Sequence, residues 1–308
     1  MRVLLAGGSG MIGTAVRAEL IRQDHLVRSL TRNDAGDYRW DARPGSVPPE
    51  ALTWADAVVS LNGVSLTHLP WTPAYRGRIE SSRVEATSAL AQAIRAAASP
   101  PQVWLSGSAV GIYGNRGDEE LDETSSAADT FLARVVRAWE AATESARGVT
   151  RVVCARTGIV LGRDGALKPL ALATRWGLGA RIGRGTQWWP WISLDDEARA
   201  IVFALTAPAI AGPVDLVGPE PATAEDISRA LARLLRRPHW LVLPTPVIKA
   251  VMRGADDLLL SSQRVHPAVL LKAGFTFHHT SAEAAIAYVC GATAPPPVVV
   301  RPTRRLAG

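Results

Sequence analysis

Four glycines near the start of the chain have the spacing of a phosphate-binding loop. Gly7, Gly8, Gly10 and Gly13 follow the apolar residues 2–6, and a helical pattern begins near residue 12. Glycine permits the tight turn that leaves a strand, and bare backbone lets a pyrophosphate reach the positive end of the next helix. The spacing fits two spellings of the dinucleotide pattern, Gly8-x-Gly10-x-x-Gly13 and Gly7-x-x-Gly10-x-x-Gly13.

An ordinary glycine-rich turn is the alternative, but a strand before the glycines and a helix after them favour a dinucleotide site. The loop residues that we expect to contact the dinucleotide are Gly7, Ser9, Gly10, Met11, Ile12 and Gly13.

A cation follows the second predicted strand, residues 26–31, where the dinucleotide's adenosine ribose is expected. Thr31 ends this strand and Arg32 comes next. Sites that prefer NAD usually place an acidic residue here, about twenty residues beyond the glycines, to bind the ribose hydroxyls. A guanidinium instead complements a 2′-phosphate, which predicts NADP(H) rather than NAD(H). The alternative is a solvated arginine, because arginine supplies nearly all of the chain's 34 basic residues.

Hydroxyl groups cluster near the end of another predicted strand, residues 103–106. Ser106, Ser108 and Tyr113 are the candidates for polarising a substrate oxygen. A serine can hydrogen-bond such an oxygen, but alone it is a poor acid because its pKa lies far above neutrality.

Apolar strands alternate with helical segments through the first half of the chain. This alternation predicts a doubly wound α/β fold of the Rossmann type, with a parallel sheet covered on both faces. In such sheets the ligand lies beyond the carboxyl ends of the strands. The segments expected to converge there are residues 7–13, Arg32, residues 61–63 and residues 106–108.

The second half is less regular and predicts a smaller, mostly helical substrate lobe. We predict a dinucleotide-binding domain over residues 1–162 and a lobe over 163–290. Within the lobe, residues 190–218 are expected to return to the sheet as a helix and a short strand. Residues 291–308, which are rich in proline and arginine, are expected to form a disordered basic tail.

Composition argues against several classes of protein. Hydrophobic residues make up 47% of the chain, and the formal net charge is +6. No basic run with interleaved aromatic residues indicates nucleic-acid binding, and no apolar run is long enough for a membrane span, so we expect neither partner. Cys154 and Cys290 lack metal-ligand spacing and indicate a reducing cytoplasm rather than a disulfide scaffold.

Several motifs together resemble the extended short-chain dehydrogenase/reductase superfamily, the epimerase and dehydratase type, and its "epimerase family protein" branch. They include Ser-Ala-Val-Gly-Ile-Tyr-Gly at residues 108–114, Arg-Thr-Gly-Ile-Val-Leu-Gly at 156–162 and Gln-Trp-Trp-Pro-Trp-Ile at 187–192. The resemblance covers nearly all of residues 1–290. It implies that Arg83 faces the cofactor phosphates. Residues implied to lie beside the nicotinamide and its ribose are Leu61, Asn62, Gly63 and Ile159.

The proton relay that this superfamily normally uses, a Tyr-x-x-x-Lys pair, is missing from the sequence. The residues four positions after Tyr38, Tyr75, Tyr113 and Tyr288 are Ala42, Ile79, Gly117 and Ala292. Counted back from Glu140, the usual pair falls at Leu132 and Val136. The resemblance implies that Tyr113 shapes the pocket, whereas its phenol leaves a role as catalytic acid open.

Two further patterns have simple structural explanations beside their chemical ones. Trp188, Trp189 and Trp191 suit a sugar ring or a flat ligand, but such clusters more often bury a seam between domains. Asp195 and Asp196 suit acid–base chemistry, but at the start of a helix they are explained by capping. His278 and His279 are expected on a surface turn without a metal.

These patterns support two hypotheses about function. The first is an NADP(H)-binding oxidoreductase or epimerase-like enzyme with an atypical proton donor, acting on a small carbonyl or hydroxyl compound. The second is a regulatory protein that senses NADPH and catalyses nothing. In either case we expect a monomer or a homodimer.

Overall fold

The computed structural model describes residues 1–33, 36–165 and 167–291. Apart from Gly291, the predicted basic tail lies outside the described residues.

Strands and helices alternate from the first residues to residue 157. In chain order they are β1 (Arg2–Ala6), α1 (Met11–Arg22), β2 (Leu26–Thr31), β3 (Tyr38–Arg39), α2 (Pro49–Trp54), β4 (Ala57–Ser60), α3 (Pro73–Ala96), β5 (Val103–Ala109), β6 (Glu120–Leu121), α4 (Phe131–Ala141) and β7 (Arg151–Thr157). Short 3₁₀ turns cover Val110–Tyr113 and Glu144–Ala146.

Shorter elements follow in the second half. They are β8 (Ile159–Leu161), α5 (Leu167–Arg175), β9 (Gly179–Ile182), β10 (Trp188–Trp189), β11 (Trp191–Ser193), α6 (Leu194–Thr206), β12 (Gly212–Leu216), β13 (Ala222–Thr223), α7 (Ala224–Leu234), β14 (His239–Leu243), α8 (Thr245–Met252), α9 (Asp257–Leu260), β15 (Arg264–Val265), α10 (Ala268–Lys272) and α11 (Ala282–Val289). None of the described helices has the length and apolarity needed to cross a bilayer.

The main sheet has seven parallel strands in the order β12-β7-β5-β4-β1-β2-β3. Successive residues of its central strands are apolar. Because successive side chains of a strand point to opposite sides, both faces of the sheet are apolar at its centre. On one face Leu5 packs in a cluster with Val16 of α1 and Ile201 of α6. On the other face Leu4 packs in a cluster with Leu90 of α3. The predicted doubly wound α/β fold is confirmed.

Strand register brings several loops to one edge of the sheet. Ala6 pairs with both Leu30 and Ser60, and Ser60 pairs with Ser106. Because the strands are parallel, the loops after β1, β2, β4 and β5 all leave from this edge.

The apolar residues of the sequence predict a long helix over about residues 79–98, whereas helix α3 begins earlier, at Pro73. Thr72 caps it, because its hydroxyl accepts a hydrogen bond from the Tyr75 amide at 3.2 Å. Proline suits the first helical position, where no amide hydrogen is needed. The extra turns fall before the apolar stripe, so hydrophobic periodicity could not reveal them.

The start of α6 is a buried cap, as predicted for this acidic pair. The Ser193 hydroxyl accepts from the Asp196 amide at 3.0 Å, while Asp196 accepts from Arg199 and from the His279 amide. These hydrogen bonds lower the pKa of Asp196 against the opposing effect of burial. The expected surface turn is wrong for His279, which is 1% exposed and packs against this cap.

Candidate cofactor and substrate cleft

The glycine loop has the geometry of only one of the two predicted spellings. Gly7 has a φ of +83°, and a Cβ there would lie 2.7 Å from the Leu61 carbonyl carbon. A Cβ on Gly13 would lie 2.3 Å from the Gly7 carbonyl oxygen. A Cβ on Gly8 would instead meet only the flexible Leu5 side chain, at 3.1 Å. The steric demands therefore favour Gly7-x-x-Gly10-x-x-Gly13.

Gly10 differs from Gly7 and Gly13, because a Cβ there would meet nothing nearer than the Gly7 oxygen at 3.6 Å. It occupies the N-cap of α1, and no side chain caps this helix. The first amides of a helix are unpaired donors at its positive end. The open space over Gly10 therefore suits a pyrophosphate.

A buried cation and a buried amide lie beside this loop. Burial lowers the pKa of Arg83 to about 10, so the guanidinium stays charged at neutral pH. It donates to the Ile79 and Val64 carbonyls at 3.0 and 3.2 Å. A Cβ on Gly63 would lie 2.9 Å from this guanidinium. The Asn62 Oδ1 is buried without a hydrogen-bond partner among the described residues, so both groups remain available to a ligand.

A cleft of about 320 Å³ joins these residues to the rest of the candidate site. On the cofactor side it is lined by Ile12, Leu61, Asn62, Gly63, Arg83, Gly158 and Ile159. Its other walls are formed chiefly by Leu66, Ile79, Leu132, Val135, Val136, Trp139, Trp189 and Leu258. The two positions counted for the missing relay, Leu132 and Val136, thus line the cleft with apolar side chains. Arg32 stands apart, exposed at the end of β2.

Ser108 lies in the cleft wall and is held by an ion pair behind it. Its hydroxyl donates to Glu140 Oε1 at 2.6 Å. Arg156 donates to both oxygens of Glu140, at 2.8 and 2.9 Å. The serine oxygen is therefore oriented before a ligand arrives, and its lone pairs can accept from a ligand hydroxyl.

Tyr113 lies behind this wall and not among the residues that line the cleft. The side chain is completely buried, and its hydroxyl donates to both Asp215 oxygens at 2.8 and 2.9 Å. The same hydroxyl accepts from Arg156 at 2.9 Å. Burial raises the pKa of Tyr113 above that of a free phenol. This location fits the pocket-shaping alternative and not direct proton donation.

Ser106 is also placed away from a ligand. It is 1% exposed, its hydroxyl donates to the Gly107 carbonyl at 3.2 Å, and it does not line the cleft. Of the three hydroxyl candidates, the structure brings only Ser108 to the cleft surface.

Sequence reasoning missed a buried acid that lies behind Thr157, on the strand next to Ser108. Thr157 lines the cleft and donates to Glu197 Oε1 at 2.7 Å. Burial raises the pKa of Glu197 to about 8, and its second oxygen has no partner among the described residues. In the sequence Glu197 follows Asp195 and Asp196, so all three have the pattern of capping residues.

Two more polar side chains line the cleft, and no sequence motif indicated either of them. The Gln263 amide donates to the Val110 carbonyl at 3.1 Å. Asp257 lies near the cleft mouth, and its pKa is raised by partial burial and then by the charge of Asp256. Both come from loops and short helices of the C-terminal lobe.

Two of the three clustered tryptophans are buried. Trp191 is 1% exposed and Trp189 is 4% exposed, and both pack in the core of the C-terminal lobe. Their indole nitrogens donate to the carbonyls of Glu220 and Leu259, respectively. Trp189 also lines the cleft. Trp189 and Trp191 are therefore core residues, and Trp189 also forms part of the cleft wall.

One group of metal-ligand types lies outside the cleft. Asp195, Asp196 and His278 have ligand atoms within 4.8 Å of one another. Asp196 already accepts hydrogen bonds from Arg199 and the His278 and His279 amides. The His278 ring contacts Asp195 at 2.6 Å. Asp196 in this group is therefore hydrogen-bonded to protein donors at the N-terminus of α6.

Comparison with known proteins gives matches along nearly the whole chain. A model described as the NAD dependent epimerase/dehydratase family matches residues 3–218, and a domain of unknown function, DUF1731, matches residues 243–289. Epimerase family protein ML0860 of Mycobacterium leprae is 40% identical over 292 residues, 93% of this chain and 94% of that protein.

Solved structures agree with these matches. A crystal structure of human epimerase family protein SDR39U1 with NADPH is 33% identical with a TM-score of 0.86, and the match covers 94% of this chain and 99% of that chain. A structure described as the nucleoside-diphosphate sugar epimerase from Corynebacterium glutamicum is 33% identical with a TM-score of 0.78, and covers 94% of this chain and 58% of that chain. The resemblance predicted from the motifs is confirmed, and the chain belongs to the NAD dependent epimerase/dehydratase family.

Proposed function

We propose that this protein is an NADPH-dependent oxidoreductase or epimerase-like enzyme that acts on a small, uncharged carbonyl or hydroxyl compound. One observation carries the proposal: a single cleft runs from Ile12, next to the glycine loop, and Arg83 to largely apolar walls that include Ser108.

The choice of NADP(H) follows from the end of β2 and from a relative. Arg32 stands where a 2′-phosphate would extend from the adenosine ribose. The human relative described above was crystallised with NADPH. We assign the pyrophosphate to the Gly7, Gly10 and Gly13 loop with its neighbours, and the nicotinamide end to the surroundings of Asn62 and Ile159.

The lining of the cleft supports an uncharged substrate. Among its described lining residues, Arg83 is the only cation and Asp257 the only carboxylate. Arg83 lies beside the cofactor loop, and the walls around Leu132, Val136 and Leu258 are apolar. A nucleoside diphosphate sugar would need further cations for its two phosphates, so a compact apolar carbonyl compound suits this cleft better.

In the proposed mechanism, NADPH held at the glycine loop and near Asn62 would supply a hydride to the carbonyl carbon of the substrate. The Ser108 hydroxyl donates to Glu140, and it would turn to donate a hydrogen bond to the carbonyl oxygen, while a proton from solvent would complete the product alcohol. In the reverse direction, the Ser108 oxygen would accept a hydrogen bond from a substrate alcohol. Tyr113 acts as a positioning residue, since it holds the Arg156 guanidinium against Glu140.

A second function, NADPH sensing without catalysis, is favoured by one specific observation. Leu132 and Val136 line the cleft at the positions where the relay would lie, and neither can transfer a proton. General acid–base groups contribute roughly 10²- to 10⁴-fold to rate, so their loss could leave only binding. A cytoplasmic location and a monomeric or dimeric state stay predictions.

The test follows NADPH absorbance in the presence of a panel of aldehydes, ketones and nucleoside diphosphate sugars. We expect oxidation with one class of apolar carbonyl compounds, and about a 100-fold slower turnover in Ser108→Ala. Ser106→Ala, which removes a hydroxyl outside the cleft, is the matched control. Tight NADPH binding without turnover on any compound would favour sensing, and turnover on nucleotide sugars alone would contradict the proposed substrate class.

A further inference from the structure

Large apolar side chains are exposed mainly on one part of the C-terminal lobe. Of the thirteen that are exposed among the described residues, eight fall in two short segments. They are Leu172, Trp176, Leu178, Trp240, Val242, Leu243, Val247 and Val251. We call this surface the Trp176–Trp240 face. Trp176 is 78% exposed and Trp240 is 69% exposed, values that are unusual for the largest apolar side chain.

The fold brings the two segments together. β9 and β14 pair in parallel, which places Val242 beside Arg181. The Trp240 indole donates to the Gly177 carbonyl at 3.1 Å, so it lies against the turn that follows Trp176. Helix α8 continues directly from β14, and its exposed Val247 and Val251 stand one turn apart. The two segments that contain the eight side chains therefore lie next to each other in the fold.

The charges in these segments are all of one sign. Residues 165–194 and 227–255 contain no Asp or Glu. Seven of their basic residues are exposed and form no ion pair among the described residues. They are Arg175, Arg181, Arg184, Arg236, Arg237, Lys249 and Arg253. An apolar surface bordered by unpaired cations suits a partner that is apolar beneath an anionic layer.

We propose that the Trp176–Trp240 face docks on the surface of an anionic lipid bilayer. Tryptophan favours the boundary between headgroups and acyl chains, where its apolar ring is buried and its N–H remains hydrogen-bonded. Basic residues beside such anchors are attracted to anionic headgroups. Exposed valines on α8, with Lys249 on the same helix and Arg253 at its C-cap, fit a segment that lies in the plane of the interface.

A second copy of the chain fits this face less well than a bilayer does. In a twofold dimer the same surface lies on both sides of the contact. The cationic border would then face itself, without an acidic residue from either segment to neutralise it. Like charges at an interface are unfavourable.

The proposal is independent of the reaction in the cleft. The sequence expectation of no membrane partner rested on the absence of a spanning segment, and a face that rests on headgroups needs none.

The test is co-sedimentation of the full chain with phosphatidylglycerol-containing vesicles and with pure phosphatidylcholine vesicles, at low and high salt. We expect binding to the anionic vesicles only, weakened by salt. Trp176→Ser/Trp240→Ser removes the anchors, and Lys249→Glu/Arg253→Glu reverses two border charges; each should weaken binding at least about tenfold. Val149→Ser and Lys272→Glu/Arg95→Glu are matched controls on exposed residues elsewhere.

NADPH binding by every variant confirms that it is folded. Failure of the wild-type protein to sediment with anionic vesicles would overturn the proposal. The proposal would also be overturned if the control variants lost as much vesicle binding as the variants of the Trp176–Trp240 face. Such a result would mean that the vesicles attract the protein by its net charge alone. A wild-type dimer that Trp176→Ser/Trp240→Ser converts to a monomer would assign the face to a second copy, and capture of an acidic protein without vesicle binding would assign it to a protein partner.

Discussion

The two sides of the cleft are built by different means. On the cofactor side, Gly7, Gly10 and Gly13 leave space because they have no side chains, and the backbone supplies groups that can meet a ligand. On the substrate side, Ser108 is fixed by Glu140 and Arg156, which lie 32 and 48 residues further along the chain. The first side depends on local conformation, and the second depends on side chains brought together by the whole fold.

Because of this difference, substitutions on the two sides of the cleft should have different effects, on NADPH affinity in one case and on folding stability in the other. A substitution that fills the open space over Gly10 should weaken NADPH binding and leave the fold intact. A substitution in the hydrogen-bonded network behind Ser108 should destabilise the fold before it affects any ligand. Four substitutions test this contrast.

Arg156→Met should have the largest effect, on stability. It leaves Glu140 and the Tyr113–Asp215 pair buried without their cation. Breaking a buried ion pair in this way costs about 4 kcal/mol of unfolding free energy. Urea denaturation measures the loss, and Arg134→Met, which removes an exposed pair with Asp129, should stay within about 0.5 kcal/mol of wild type. Equal, small losses in both variants would contradict a structural role for the network.

Glu197→Gln should flatten the dependence of stability on pH. In the unfolded chain a glutamate ionises above its ordinary pKa of 4.5, whereas burial keeps folded Glu197 protonated to about pH 8. Unfolding thus releases a proton between these values, and wild-type stability falls as the pH rises. The variant should lose about 3 kcal/mol less than wild type between pH 5 and pH 8. Glu119→Gln, at an exposed ion pair, is the control, and identical pH profiles for wild type and Glu197→Gln would refute the assignment.

Gly10→Ala should reduce affinity without a matching loss of stability. The added methyl group has room in the ligand-free protein, since its nearest neighbour lies at 3.6 Å, but it would project where the pyrophosphate must approach. We expect about 100-fold weaker NADPH binding with a nearly unchanged unfolding midpoint. Gly77→Ala, in α3 with nothing within 4 Å, controls for the methyl group itself. Wild-type affinity in Gly10→Ala would place the pyrophosphate elsewhere.

Arg32→Ser should have the smallest effect, on cofactor choice. Loss of the guanidinium should weaken NADPH binding about tenfold and leave NADH binding nearly unchanged, because only NADPH has the 2′-phosphate. Titration with both nucleotides measures this ratio, with Arg95→Ser as an exposed control. An equal loss for both nucleotides would mean that Arg32 does not discriminate between them.

The same contrast explains which features could be predicted from the sequence. The parallel sheet and the glycine loop depend on local patterns, so strand periodicity and the spacing of Gly7, Gly10 and Gly13 were sufficient. Tyr113 and Asp215 lie 102 residues apart, and no local signal indicates that they meet. For the same reason, Tyr113 was a candidate for catalysis although it lies behind the cleft wall.

Glu197 illustrates a different limit of sequence-based prediction, namely that burial cannot be read from residue type. Its position after two acidic residues gave it the pattern of a solvated helix start, and only the packing of α6 against the sheet buries it completely. Sequence patterns indicate which residue types occur near a helix end, but burial decides their protonation state.

The place of β12 in the chain has a consequence for biosynthesis. β12 begins at Gly212, after α5 and β9 of the C-terminal lobe, yet it pairs with β7. A ribosome therefore synthesises much of the lobe while one edge of β7 has no partner, and the sheet is complete only after Leu216 has left the exit tunnel. Unpaired strand edges readily pair with other chains. While residues 158–216 are translated, the nascent chain therefore presents an open strand edge that other chains can pair with, and a fragment ending near residue 162 would keep that edge open permanently.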